Sequence, residues 1–190
     1  GERSYMLADG SFAKVVRPDG VLLLSDIKMR TEPVMKNSSA SVWDLGDGVL
    51  CFEFTSMANS LDEGIMVMLN KTISAIEKGD EYKALVIHNE GKNFSVGANI
   101  GVMLFSANIA AWPQLQAGIK GGQDVYMKLR FGKFPVVSAP SGIAVGGGCE
   151  ILMHSDAVQA HAETYTGLVE VGVGVMPGWG GCKEMVRRHL

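Results

Sequence analysis

The sequence has 190 residues, 47% of them hydrophobic and 19% charged, so it can build one folded domain with a real core and is not a disordered chain. Its net charge is −3, and no Lys/Arg cluster is interleaved with aromatics, which argues against a nucleic-acid surface. The longest apolar runs, residues 21–24 and 171–177, are far too short to span a bilayer, and no basic start followed by an apolar run marks a signal peptide.

The chain begins with Gly, not Met, and reads as a piece of something longer. Residues 1–40 differ from the rest. Gly20-Val21-Leu22-Leu23-Leu24 predicts a short strand after the turn Pro18-Asp19-Gly20, and Lys36-Asn37-Ser38-Ser39 has the composition of a linker. A boundary is expected near residue 40, dividing a linker or upstream tail (1–40) from a core domain (41–190). Val49 to Phe54 predicts a strand after Gly46-Asp47-Gly48. Ser60 or Asp62 can cap a helix running to about Lys78, with Ile65, Met68, Leu69, Ile73 and Ile76 at helical spacing and Gly79 as its stop. Ala84 to Ile87 is a continuous apolar run, expected as a strand buried on both faces. A loop is expected over 89–99 and a second helix from Gln114 to about Arg130, weakened by Gly118, Gly121 and Gly122. A buried strand at 135–139, a short helix at about 148–153, a strand at 157–160 and a helix opening near Gly180 complete the pass. Strands alternating with helices imply an α/β domain with mostly parallel strands, and there is no internal repeat.

Several chemistries fail on the letters. Cys51, Cys149 and Cys182 form no CxxC pair and their odd number makes no disulfide framework, so reduced thiols in a cytosol-like compartment are expected. The four histidines show no metal-binding spacing, and no metal site is expected. GxGxxG, GxxxxGK[ST] and GxSxG are all absent despite 24 glycines.

Three segments stand out together: Asn93 to Ile100, Ile143 to Glu150, and Glu170 to Gly181. Each has a plain reading. Gly146-Gly147-Gly148 alone is a tight turn as readily as a binding loop, and Glu150 alone is a capping residue. Trp112 and Trp179 alone are packing residues, and Asp156 is a structural hydrogen-bonding group. Glu170 beside Val169 and Val171 is odder, because a carboxylate in an apolar run needs a partner or a purpose.

The joint pattern resembles the enoyl-CoA hydratase/isomerase (crotonase) superfamily from about residue 42 to 190. Phe94-Ser95-Val96-Gly97-Ala98 resembles its first oxyanion loop. Gly146-Gly147-Gly148-Cys149-Glu150, with Asp156 six residues after the Glu, resembles its second. Pro177-Gly178-Trp179-Gly180-Gly181 resembles its third landmark, and Asn59-Ser60-Leu61 the usual Asn-x-Leu before the first helix. The resemblance implies a crotonase-like (ClpP/crotonase) fold of repeated ββα units, incomplete here at its C-terminus. It also implies an acyl-CoA thioester substrate, with the backbone N–H groups of Ala98 and Gly147 as the oxyanion hole. Glu150 would activate water and Glu170 protonate the α-carbon. Val96, Gly97, Asn99, Ile100, Gly146, Pro177 and Gly178 would line the substrate.

Elementary chemistry agrees. Water attacking a double bond conjugated to a thioester pushes negative charge onto the thioester oxygen, where each preorganised donor is worth roughly 3 kcal/mol. Glycine lets backbone approach the substrate without a Cβ, and a helix opening at Gly147 adds its positive end. Two carboxyl groups with environment-tuned pKa values can move both protons.

Departures from the family pattern are visible. Asn99 stands where the family usually has Asp, but Asn also caps helices. Gly101 and Val102 stand where a Lys is common, so a CoA phosphate contact must come from elsewhere. The expectation is a cytoplasmic hydratase of trans-2-enoyl-CoA in fatty-acid β-oxidation. It would need no cofactor (CoA being part of the substrate), and its full-length form would be a homotrimer or dimer of trimers. Residues 1–40 could be the tail of a 3-hydroxyacyl-CoA dehydrogenase. The alternatives are a Δ3-Δ2 enoyl-CoA isomerase using Glu170 alone and a non-catalytic acyl-CoA-binding module.

Overall fold

The apolar runs at 49–54, 84–87 and 135–139 form neighbouring strands at the centre of one sheet. The structure, a computed structural model, describes residues 3–189. Gly1, Glu2 and Leu190, the ends of the two expected spans, lie outside the described residues. The chain opens with an antiparallel hairpin, β1 (Ser4–Met6) and β2 (Phe12–Lys14), then the short helix α1 (Leu24–Lys28). Next come β3 (Met35–Lys36), β4 (Ala40–Asp44), β5 (Val49–Phe54), β6 (Ser60–Leu61) and α2 (Glu63–Lys78). β7 (Ala84–His88), β8 (Gly97–Ala98), α3 (Ile100–Asn108), α4 (Trp112–Phe131) and β9 (Val136–Ala139) follow. β10 (Ile143–Val145), α5 (Gly147–His154), β11 (Ala157–Val158), β12 (Tyr165–Gly167) and α6 (Gly181–His189) complete it.

The main sheet has the order β11-β9-β7-β5-β4-β3. Its β5, β7, β9 and β11 are parallel, while β4 runs antiparallel to both β5 and β3. Two small parallel pairs, β6–β8 and β10–β12, stand beside it and carry the loops of interest. Alternation along β5 sends Leu50, Phe52 and Phe54 to one face, where they join Ile65, Leu69 and Ile73 of α2 in the principal core. Cys51 points the other way, to a small cluster with Trp43 and Leu24.

The α2 helix forms as its letters require. Asp62 Oδ1 accepts the Ile65 N–H at 2.8 Å, and Gly79 ends the helix. Asn99 likewise caps α3, accepting from Val102 N at 3.3 Å. Asp156 has the structural role expected of it: its Oδ2 accepts the Val136 N–H at 2.8 Å.

Three expectations need correction. Residues 20–24 form no strand. The chain turns at Gly20, where φ is +80°, and helix begins at Leu24. Among the described residues no strand pairs with 20–24, and Leu24 and Ile27, on one helical face, pack on Trp43 and Cys51 instead. The 89–99 segment is not all loop, since β8 lies within it, and α3 follows where no helix was anticipated. None of α3's residues is buried and apolar residues occupy most of its positions, so it carries no period to read. Finally, β7 is fully buried on one face only. Leu85 and Ile87 are sealed in the principal core, whereas Val86 and His88 are half-buried on the other face, beside Leu22 and Leu24.

The position expected as a boundary, near residue 40, falls inside the β3–β4 hairpin. Asn37 Oδ1 accepts from Ser39 N and Ala40 N, both at 2.8 Å, and its Nδ2 donates to the Gly64 carbonyl at 2.8 Å.

Candidate active site

The three glycine-bearing segments meet beside the two small strand pairs. Ser95 bridges to Ala144, and β8 lies along β6 in register Ser60 with Gly97, Leu61 with Ala98. Gly97 has φ +83°, and a Cβ there would stand 2.9 Å from the Val145 carbonyl oxygen and 3.3 Å from the Gly147 nitrogen. Only glycine lets the two loops touch. Ser95 Oγ accepts the Gly97 N–H at 3.1 Å and donates to the Asn59 carbonyl at 2.7 Å, while Asn59 Nδ2 donates to the Asn93 carbonyl at 2.8 Å.

Both expected oxyanion donors belong to peptide units that are held at the opposite end. Ser60 Oγ donates to the Gly97 carbonyl at 3.2 Å, the same unit that carries the Ala98 N–H. Glu150 N donates to the Gly146 carbonyl at 2.9 Å, the unit that carries the Gly147 N–H. In a trans peptide the N–H points opposite to the C=O, so these bonds set where the two amides aim. Gly147 is also the first residue of α5, at the positive end of its dipole. A Cβ on Gly147 would lie 2.7 Å from Trp179 Cζ3 and 2.9 Å from Leu61 Cδ1.

Glu150 sits in the first turn of α5 and is 2% exposed. Its Oε1 accepts from Trp179 N at 2.9 Å and Gly181 N at 2.7 Å, where the chain enters α6. Burial pushes this carboxyl above its usual range. The two N–H bonds oppose that shift, and the charge of Glu170 adds to it. Glu170 opens a 3₁₀ turn, Glu170–Val173, and is half-buried. Its Oε1 would stand 3.3 Å from a Cβ on Gly146, and its Oε2 is buried with no hydrogen-bond partner. The two carboxylates therefore share one neighbourhood with the Gly97 and Gly146–Gly147 backbone.

The remaining expected residues spread around this centre. Gly146, with φ +55° and ψ −127°, is the N-cap of α5. Val96 and Ile100 are exposed, and Asn99 spends its side chain on the α3 cap. Pro177 and Gly178 are half-buried before α6, with the Gly178 carbonyl accepting from Gln123 Nε2 at 2.8 Å. Trp112 is exposed. Among the described residues no group of three or more His, Cys, Asp or Glu could hold a metal ion, and no helix is long and apolar enough to cross a membrane.

Sequence reasoning missed two supporting residues, Tyr126 and His154. Tyr126, fully buried, donates its hydroxyl to the Gly147 carbonyl at 2.9 Å and packs edge-on against Trp179. Trp179 in turn fills the space over Gly122, so that glycine is a point of close approach rather than a helix defect. His154 reaches back to the Glu150 carbonyl, Nδ1 to O at 2.7 Å. The one available signal was spacing: His154 follows Glu150 by one helical turn.

Comparison with known proteins agrees with this architecture. Residues 46–189 match the enoyl-CoA hydratase/isomerase family. A Bacillus subtilis protein named "Probable 3-hydroxyacyl-CoA dehydrogenase" is 41% identical over 167 residues, which is 88% of this chain and 21% of that protein. That match is longer than residues 41–190 and so reaches into the N-terminal segment. Among solved structures, an enoyl-CoA hydratase from Polaromonas sp. JS666 superposes with a TM-score of 0.73 at 25% identity, covering 78% of this chain and 58% of that one. An enoyl-CoA hydratase from Bacillus anthracis gives 0.70 at 23% identity, over 78% and 57%. The chain thus spans about a fifth of the curated relative's length and somewhat over half of each of these two structures. With this fold and this match over most of its length, the chain belongs to the enoyl-CoA hydratase/isomerase (crotonase) family.

Proposed function

We propose that this site binds the thioester of a trans-2-enoyl-CoA and adds water to it, giving a 3-hydroxyacyl-CoA. Glu150 directs the water and takes its proton as the oxygen bonds to the β-carbon. The electrons of the double bond move to the thioester oxygen, where the Ala98 and Gly147 N–H groups stabilise them, each worth roughly 3 kcal/mol. Glu170 then delivers a proton to the α-carbon as the carbonyl re-forms. The observation that carries this reading is the pairing of a buried carboxyl group held by backbone amides with a nearby half-buried one whose inner oxygen is left unpartnered. A buried polar atom without a partner is destabilising unless something fills the place, and a substrate or its water fits that need. The proposed enzyme uses no metal or redox cofactor, acts in fatty-acid β-oxidation in the cytoplasm, and assembles as a homotrimer or dimer of trimers in its full-length form.

A specific observation also favours a second reading, the Δ3-Δ2 isomerase. Glu150 Oε1 is already committed to two amides, while Glu170 Oε2 is buried and has no partner, as a single shuttling base would. Glu150→Gln in the natural full-length protein separates the two. A hydratase loses crotonyl-CoA hydration, followed as the disappearance of the conjugated-enoyl absorbance, by at least about 10²-fold. An isomerase keeps converting 3-enoyl-CoA. A protein that binds enoyl-CoA but turns over neither substrate would leave only the binding module.

A further inference from the structure

His154 ends α5, one helical turn after Glu150, and is 1% exposed. Its Nδ1 lies 2.7 Å from the Glu150 carbonyl oxygen. A carbonyl only accepts, so Nδ1 carries the hydrogen and Nε2 presents a lone pair. Burial holds the imidazole below its ordinary pKa, which favours this neutral form. Nε2 itself is buried with no hydrogen-bond partner. What it faces is Gly180: a Cβ there would stand 3.1 Å from both Cε1 and Nε2. Gly180, with φ +109°, separates Trp179 from Gly181, the two residues whose N–H groups hold Glu150 Oε1 at 2.9 and 2.7 Å. The ring therefore touches the main chain of Glu150 on one side and the loop that grips its carboxylate on the other.

We infer that His154 is a positioning residue for Glu150: its Nδ1–H fixes the Glu150 backbone while its Nε2 edge seats Gly180, so one rigid ring sets the carboxylate against its two amides. This rests on the reading of Glu150 as the water-directing group. Packing alone does not account for histidine here, since a buried nitrogen without a partner carries a desolvation penalty that a phenyl ring would not. The N–H bonds from Trp179 and Gly181 hold the Glu150 carboxyl down against the effect of burial, so loosening them lets it rise. The other charges bearing on the pair are Glu184 and Lys183 on α6 and Arg130 on α4, which act on the imidazole, and Glu170, which acts on Glu150. Tyr126 on α4 stacks on the ring at 5.4 Å between centroids. All of these stay in place when residue 154 is changed.

The test is the pH dependence of enoyl-CoA hydration in the natural full-length protein carrying His154→Phe or His154→Asn. In the Phe variant the acid limb of the profile moves to higher pH by roughly half a unit or more, and kcat falls about tenfold with KM little changed. The Asn variant, whose amide N–H can stand in for Nδ1–H, recovers most of kcat and the original limb. If the Phe variant does not fold, as judged by circular dichroism, His154→Leu takes its place, because it has no donor for the Glu150 carbonyl. A folded Phe or Leu variant with an unmoved limb, or an Asn variant no better than the donor-free variant, overturns the inference. Glu150→Gln measured alongside keeps the two ideas apart. Hydration surviving in Glu150→Gln sinks the underlying reading, whereas its loss there with an unmoved limb in His154→Phe sinks only the positioning role.

Discussion

Glu53 and the glutamates of the candidate site lie in two regions of the molecule, and their surroundings differ. On the outer face of the sheet, Glu53 is 7% exposed and fully engaged. One oxygen pairs with Lys28 of α1, and the other accepts from Ser41 Oγ at 2.8 Å and Trp43 Nε1 at 3.1 Å. The adjacent Cys51 thiol is pushed up to about 12, by burial first and by the nearby Glu53 and Glu90 carboxylates second, so it stays protonated and inert. At the candidate site, Glu150 is held only by main-chain amides, and Glu170 keeps a buried oxygen with no partner. A carboxylate whose every oxygen is bonded to its own protein is fastening structure. One that is buried and left short of partners lowers stability, and that is tolerated where a substrate completes the set.

This contrast can be broken most directly at Glu170. Glu170→Gln is expected to lower hydration by at least about 10²-fold while leaving the melting temperature little changed, because the buried Oε2 it replaces has no hydrogen-bond partner to lose. Steady-state absorbance assays and a thermal melt check both halves. If the variant instead unfolds in step with its lost activity, Glu170 belongs with Glu53. The converse experiment is Glu53→Ala. It takes the acceptor from the buried Ser41 hydroxyl and the carboxylate from the Lys28 ammonium, while Trp43 Nε1 keeps Ser41 Oγ at 3.0 Å; with Lys28 partly solvated the loss should be about 2 kcal/mol in urea unfolding. Activity per folded molecule should stay at the wild-type level.

The smallest effect concerns Glu150 and pH. Its folded-state pKa is raised, so the folded protein binds the proton more tightly than the unfolded chain. The stability this gives is fully present below the ordinary carboxyl value of 4.5 and is lost as pH rises through the raised folded value. Glu150→Gln, which cannot ionise, should therefore gain stability relative to wild type across that window, by about 1 kcal/mol. Paired melts at pH 4 and pH 7 measure it; a difference that shrinks with rising pH would contradict the assigned sign.

The sequence reported local chemistry well and surroundings poorly. The α2 helix was legible because Asp62, the apolar spacing from Ile65 to Ile76 and Gly79 act within a few residues of each other. The loops at 94–98 and 146–150 were legible because close approach demands glycine at fixed positions. The strand expected at 20–24 was not there, since strand formation needs a paired neighbour and, among the described residues, none pairs with it. The helix over Ile100–Asn108 was invisible because its apolar residues face no core and so show no period. His154 and Tyr126 escaped notice, and Ser60 was read only as a helix cap or motif residue, because each acts on a partner distant in sequence or through the main chain, where side-chain identity at the partner position carries no mark.

By itself, then, the sequence determined the α/β class, the family resemblance and the identities of the two candidate glutamates, all of which depend on residue types at short spacings. Only the tertiary structure decided that Glu150 is gripped by the Trp179 and Gly181 amides, that Glu170 keeps an unpartnered oxygen beside Gly146, and that Glu53 does not. Whether a buried carboxylate is satisfied depends on which backbone and side-chain groups the fold brings within about 3 Å of it, and that is a property of packing between distant segments rather than of any local run of residues.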